Sequence, residues 1–185
     1  MRDHLGRPLV AVTGLGTVTS LGFGVQDNWS RLLAGQSGIC RITRFPTEHL
    51  KTTIAGTVDL PGGENFTSPE RVERMGAFAI EEAVTEAALG ARGHFPGPLF
   101  LGMPPVEVEW PTRIDLSRRA GDPSYAAMTA QAAGRPDVYE TFLYGGVGER
   151  LAARFGTRGA PISVTTACAT GATAIQLGVE AIQRG

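Results

Sequence analysis

The stretch "ISVTTACATGATAIQLGVEAIQRG", Ile162 to Gly185, sets a β-branched run beside a run of small residues that carries one cysteine. Ile162, Ser163 and Val164 read as a short buried strand, and the residues after Cys168 read as a helix closed by Gly185 at its C-cap. Cys168 therefore falls where a strand becomes a helix. Unsatisfied amides and the positive end of a helix dipole favour a thiolate at such a place, and the thiolate is the attacking form. The amide of the same residue can also help hold an oxyanion when a thioester carbonyl is attacked. Ala167, Ala169, Gly171 and Ala172 keep the approach open, while Ile175, Leu177 and Ile182 are expected to supply the buried side. A sharp strand-to-helix turn that presents one reactive side chain is the device of a nucleophile elbow. The competing reading stays open on spacing alone, because a lone cysteine in an alanine-rich helix is more often a core residue.

Working outward, "YETFLYGGVGERLAARFG" predicts a short helix over Gly148–Phe155, and "PLFLGM" predicts a second buried strand before it. Between them, residues 103–150 carry Pro104, Pro105, Pro111, Pro123 and Pro136. Prolines at that density interrupt any long element, so loops with short helices are expected, forming a cap or partner-facing layer. "TSPERVERMGAFAIEEAVTEAALG" is the clearest long helix: Ser68 is placed to cap it, Pro69 suits its first position, and acids gather early. Val72, Met75, Phe78, Ala79, Ala83 and Ala87 recur at three- and four-residue spacing, and Gly90 closes the pattern. "TTIAGTVD" reads as a short extended segment.

Near the start, "PLVAVTGLG" predicts a buried strand over Leu9–Val12 that stops at a tight turn with Gly14 and Gly16. In "VQDNWSRLLAGQSG", Asp27 or Asn28 is a candidate N-cap, Trp29, Leu32 and Leu33 share a helical face, and Gly35 ends the helix. Strands alternating with helices predict an α/β chain with a mainly parallel sheet and helices on both faces. Three parallel strands would leave faces and edges uncovered, so the chain reads as part of a larger unit. The glycine turn has a competing reading as a dinucleotide loop, but it lacks the full GxGxxG and an acidic residue at the required distance.

With 42% hydrophobic and 19% charged residues, the chain is ordinary globular material rather than a disordered one. A formal net charge of -1 provides no basic field, so nucleic acid is not indicated as a partner. No run approaches a membrane span, and the start has no long apolar segment of a signal peptide. The two cysteines, Cys40 and Cys168, have no metal spacing and form no disulfide framework, which predicts a reducing, cytoplasmic setting. Cys40 lies in "SGICRITRF", read as a loop with no helix start after it. A thiol nucleophile needs a base or an electrostatic partner. His4 in the N-terminal tail and His49 and His94 in polar connections are the available histidines, and each reads as a solvated surface residue.

Together, "VAVTGLGTVTSLGFGVQDNWSRLLAGQSGICRITRF" and "ISVTTACATGATAIQLGVEAIQRG" resemble the β-ketoacyl-acyl-carrier-protein synthases, the condensing enzymes of fatty-acid and polyketide synthesis. The first is similar to their "VTGLG.VT.LG" and "L..G.SGI..I..F" patterns, and the second to their "TACA.G" segment; "RMGAFAIEEAVTEA" resembles the alanine-rich helix between them. The resemblance implies a thiolase-like fold of two similar halves, with residues 1–185 as an N-terminal portion, an incomplete first half, and the C-terminal half absent from the chain. It implies that Cys168 accepts an acyl group from acyl carrier protein. Malonyl carrier protein then loses carbon dioxide and extends that group by two carbons. In relatives, two histidines and a lysine of the second half assist; none of them maps onto His4, His49 or His94.

The resemblance also implies that the strand leading to the cysteine pairs across a homodimer, with Thr165 and Thr166 near that edge. It implies no metal and no cofactor beyond the carrier's phosphopantetheine. "FLGMPPVEVEWP" departs from the glycine-rich run that relatives often carry there. Two alternatives stand beside condensation. One is a non-catalytic dimerisation or binding module. The other is another acyltransferase or a thiol hydrolase using the same cysteine, since one fold hosts several chemistries.

Overall fold

The computed structural model describes residues 1–62, 66–90, 93–104 and 108–185, and at Tyr139, Thr141 and Phe142 the backbone alone. Pro105, one of the prolines expected to interrupt long elements, lies outside the described residues. The chain divides into two compact units, one of Met1–Val10, Thr67–Glu70 and Ala91–Gly185, the other of Ala11–Phe66 and Arg71–Gly90.

The second unit is built on the glycine turn. Strands β1 (Val18–Thr19) and β2 (Gly22–Phe23) form a small antiparallel hairpin that runs into helix α1 (Val25–Leu33). β3 (Ile39–Arg41) pairs antiparallel with β4 (Ile54–Gly56), Cys40 lying opposite Ala55. Helix α2 (Ser68–Ala87) is the long helix that the alanine spacing predicts. Its cap is one residue earlier than Ser68: the Thr67 hydroxyl accepts from the Glu70 amide at 3.4 Å, while the Glu70 carboxylate accepts from the Thr67 amide at 2.7 Å. This is a reciprocal capping box, for which the signal is Thr67 followed three residues later by Glu70.

The body of α2 explains the two glycines. A Cβ added at Gly16 would overlap the Ala79 carbonyl oxygen and lie 2.7 Å from its carbon, and one at Gly14 would overlap the Ala83 carbonyl oxygen. Glycine is required because a helix backbone runs directly over the turn. The carboxylates of Glu82 and Glu86, one helical turn apart, then take the amides of that turn. Glu82 accepts from Thr17 at 3.0 Å and from Val25 at 2.7 Å, and Glu86 accepts from Leu15 at 2.6 Å. Amides that a phosphate-binding loop would offer to a ligand are thus occupied by side chains of the same unit.

Helix α1 begins two residues before Asp27, from Gly24 at φ 88°, and Glu82 rather than a local side chain satisfies its first amide. Asn28 is buried within the helix and donates to the Gly22 and Gly24 carbonyls at 2.9 and 2.8 Å, tying the hairpin to α1. Phe23 and Phe78 meet edge to face, 5.1 Å between ring centres. Glu82→Ala is expected to destabilise the chain by about 2 kcal/mol, because two partly buried amides lose a charged acceptor. Urea unfolding checks this, and Glu82→Gln, which keeps a carbonyl acceptor, should lose less.

The first unit is built on the parallel pair β5 (Phe100–Gly102) and β6 (Ile162–Val164), with Phe100 opposite Ile162 and Gly102 opposite Val164. The crossover between them carries α3 (Trp110–Ala120), α4 (Tyr125–Ala132), α5 (Pro136–Phe142) and α6 (Gly146–Phe155). The proline-rich region therefore holds short helices, as expected, with Pro111 and Pro136 in first turns, where a missing N–H is tolerated. Met103, Leu116, Val138, Val147, Leu151 and Phe155 are buried and form the core of this unit. Gly148 lets α6 approach β6, since a Cβ there would come within 2.6 Å of the Ser163 hydroxyl.

Three further expectations differ from the structure. Among the described residues one strand pair is parallel and two are antiparallel, so the mainly parallel sheet is not formed. Leu9–Val12 forms no strand; Leu9 is 54% and Val12 76% exposed, and the nearby pairing is a single bridge between Arg2 and Pro8. An apolar extended run becomes a strand when a second strand takes its amides, and no such neighbour is present among the described residues. Helix α7 (Thr170–Arg184) packs on β5, with Gly178 facing Phe100, yet Ile175 and Ile182 remain 67% and 57% exposed. Its periodicity marks the apolar side without supplying anything to cover it.

Candidate functional site

The site is the connection from β6 to α7. After Val164 the chain passes through Thr165 and Thr166, makes one 3₁₀ turn over Ala167–Ala169, and enters α7 at Thr170. Cys168 lies in the middle of that turn, two residues before the helix, with an exposed and unpaired thiol. Within residues 1–185 it is not buried. No acidic residue stands in the first turn of α7, which leaves the positive end of the helix without a neutralising carboxylate of its own.

The residue before the cysteine is held in an uncommon conformation. Ala167 has φ 50°, in the left-handed region, which costs a residue with a Cβ about 1–2 kcal/mol. Two threonine hydroxyls bind the backbone around it, and a third bonds to one of them. The Thr170 hydroxyl accepts from the Thr166 amide at 2.8 Å and donates to the Ala167 carbonyl at 2.7 Å. The Thr173 hydroxyl donates to the Ala169 carbonyl at 3.1 Å and meets the Thr166 hydroxyl at 2.9 Å. A further backbone bond joins the Ala169 amide to the Thr166 carbonyl at 3.1 Å. The turn is thus cross-linked from both ends, and its one side chain with nucleophilic sulfur projects to solvent.

Sequence reasoning found Cys168 and missed this threonine set. The available signal is the spacing of Thr166, Thr170 and Thr173, hydroxyls four and three residues apart, which places them around one turn of helix. Thr166 lies beyond the end of β6 and takes part in the turn.

The other candidates take no part in these hydrogen bonds. Cys40 is in a strand and not a loop, its Sγ 3.8 Å from the Ala55 carbonyl oxygen and 3.5 Å from the Thr57 hydroxyl. His4, His49 and His94 are exposed. Among the described residues no group of His, Cys, Asp and Glu is arranged to hold a metal, and no helix is long and apolar enough to cross a membrane.

Helices α3, α4 and α5 border a cavity of about 800 Å³ walled by Leu116, Tyr125, Met128, Val138 and Leu143. Neither Cys168 nor any residue of α7 lines it. Arg135 at its edge is engaged by a two-pronged pair with Asp137, at 2.9 and 2.7 Å, whose hydrogen bonds hold the Asp137 carboxyl below the usual carboxylate range.

Comparison with known proteins gives the family of the chain. The family model of the β-ketoacyl synthase N-terminal domain matches residues 8–85 and 114–185. A 3-oxoacyl-[acyl-carrier-protein] synthase 2 of Staphylococcus aureus is 30% identical over 189 residues, covering 95% of this chain and 42% of that protein. The solved structure of the ishigamide ketosynthase/chain length factor is similar with a TM-score of 0.67 at 27% identity, over 97% of this chain and 45% of that one. A type II PKS acyl-carrier protein in complex with its ketosynthase bound to the hexaketide shares the fold, with a TM-score of 0.69 at 22% identity, over 97% of this chain and 43% of that one. The chain spans about two fifths of the length of the curated relatives it matches.

Proposed function

This chain belongs to the β-ketoacyl synthase family, and on that premise we propose that Cys168 is the nucleophile of a decarboxylative condensation. The observation that carries the reading is the exposed thiol of Cys168 on a strand-to-helix turn whose preceding residue is held at positive φ. In this reading the Cys168 sulfur attacks the carbonyl of an acyl group on the phosphopantetheine of acyl carrier protein. A carbon–sulfur bond forms to Cys168, and the carrier's thiol leaves with a proton. Malonyl carrier protein then loses carbon dioxide, its carbanion forms a carbon–carbon bond to the acyl carbonyl, and the Cys168 thiolate is released. The product is a 3-oxoacyl carrier protein.

Residues 1–185 act as the N-terminal portion of the synthase domain, supported by the match to the family's N-terminal model and by coverage of about two fifths of the relatives. The groups that assist decarboxylation are not assigned to His4, His49 or His94, and residues 1–185 alone are expected to accept an acyl group without condensing it. The proposed setting is the cytoplasm, where both cysteines stay as thiols. The proposed assembly is a homodimer, for which the exposed Ile162 of β6 and Ile175 of α7 are apolar surface in want of cover.

Incubation with acyl carrier protein bearing a labelled acyl group, followed by peptide mass spectrometry, tests the first step. The label is expected on the peptide containing Cys168 and not on that containing Cys40. Label on neither, with the chain folded, removes the acyl-transfer reading and leaves a binding module in its place.

A further inference from the structure

Ala167 has no polar side chain with which to hold its own left-handed conformation, so the restraint must come from its neighbours. One hydroxyl supplies it. Thr170 Oγ1 takes the amide that precedes the Thr166–Ala167 pair and gives its proton to the carbonyl that follows it, at 2.8 and 2.7 Å. A bridge between those two peptide groups restricts the dihedral angles of both residues inside it, and the next residue along is Cys168. The other branch of the same side chain is seated on the sheet. Thr170 Cγ2 stands so close to β5 that a Cβ at Gly102 would come within 2.9 Å of it. Because a β-branched residue has few rotamers, a methyl seated on Gly102 also aims the hydroxyl.

We infer that Thr170 is a positioning residue for the Cys168 thiol, transmitting the location of β5 to the turn through one side chain. This rests on the proposed role of Cys168 and deepens it. The hydroxyl is neither a proton carrier nor a substrate contact; it sets the direction in which the sulfur is presented. Thr173 backs it from the second turn of the helix, through the Thr166 hydroxyl at 2.9 Å.

The test uses the 185-residue chain and iodoacetamide as the probe, with the alkylation rate read at each cysteine by peptide mass spectrometry. Cys40, in the other compact unit, is the reference within each sample. Thr170→Val keeps the seated methyl and removes the hydroxyl; Thr170→Ser keeps the hydroxyl. Thr170→Val is expected to lower the Cys168 rate about tenfold, as a misdirected attacking group does, and to leave Cys40 unchanged. Thr170→Ser, which keeps the hydroxyl without the seated methyl, is expected to fall between the parent and Thr170→Val, within about threefold of the parent. In an Ala167→Gly background, where left-handed φ carries no penalty, Thr170→Val should cost clearly less, and this double variant also serves if the single one fails to fold.

Equal Cys168 rates in the parent and Thr170→Val, or equal losses in the alanine and glycine backgrounds, overturn the inference. Failure of the proposed function is seen separately. A Cys168 whose alkylation depends on Thr170 but which never takes an acyl group from carrier protein would sink the condensing role and leave the positioning role standing.

Discussion

Cys168→Ala is expected to lower condensation by at least about a thousandfold in the protein that carries this chain, because the covalent path is lost when its nucleophile is removed. Cys40→Ala is expected to retain activity within about threefold, a span normal for a surface change that removes no reacting group. The measurement is malonyl-carrier-dependent release of carbon dioxide, with circular dichroism on each variant. Both cysteines are exposed, so neither substitution opens a core cavity and a loss of activity is not a loss of fold. The contrast is informative because the two thiols sit in different backbones. Cys40 is fixed in a β-ladder opposite Ala55, whereas Cys168 lies in a 3₁₀ turn at the start of a helix. Comparable loss from both substitutions would end the assignment of Cys168.

Gly16→Ala is expected to be the most destabilising single methyl group that can be added to the glycine turn. Its Cβ would occupy the space of the Ala79 carbonyl, which belongs to the backbone of α2 and cannot rotate away as a side chain would. Relief requires α2 to move off the turn, and the same movement stretches the Glu82 and Glu86 bonds to Leu15, Thr17 and Val25. Overpacking of this kind costs about 1–3 kcal/mol, and with those bonds weakened a loss of about 4 kcal/mol is expected. That corresponds to a fall of about 10 °C in Tm for a chain of this size. Gly35→Ala is the control: Gly35, unlike Gly16, has positive φ, but a Cβ there meets nothing within 4 Å, so its cost is confined to backbone strain. A Gly16→Ala variant as stable as Gly35→Ala would show that the contact with α2 is not what requires the glycine.

Much of the site was legible because its signals are local. The β-branched run before Cys168, the small residues after it and the spacing of Ile175 and Ile182 predict a strand, a turn and a helix, and those elements are found at Ile162–Val164, Ala167–Ala169 and Thr170–Arg184. The positive φ of Ala167 was not legible. Alanine rarely adopts it, and the hydroxyl that bridges the peptides around it belongs to Thr170, whose methyl lies against β5. Likewise Asn28 and Asp27 compete on paper as caps for α1, but the acceptor for its first amide comes from Glu82, 57 residues away.

By itself, then, the amino-acid sequence determined the helices α2 and α7, the glycine turn, the place of Cys168 at a strand-to-helix junction and the family. Each of these is written in neighbouring residues, through apolar periodicity, small residues and turn formers. Only the tertiary structure decided why Gly14 and Gly16 must be glycine, where the amides of their turn go, that Leu9–Val12 is left without a ladder, and which hydroxyl holds the turn before the cysteine. Those outcomes depend on which distant backbone comes to lie alongside, and a run of residues encodes its own preferences more fully than the identity of its neighbour in space.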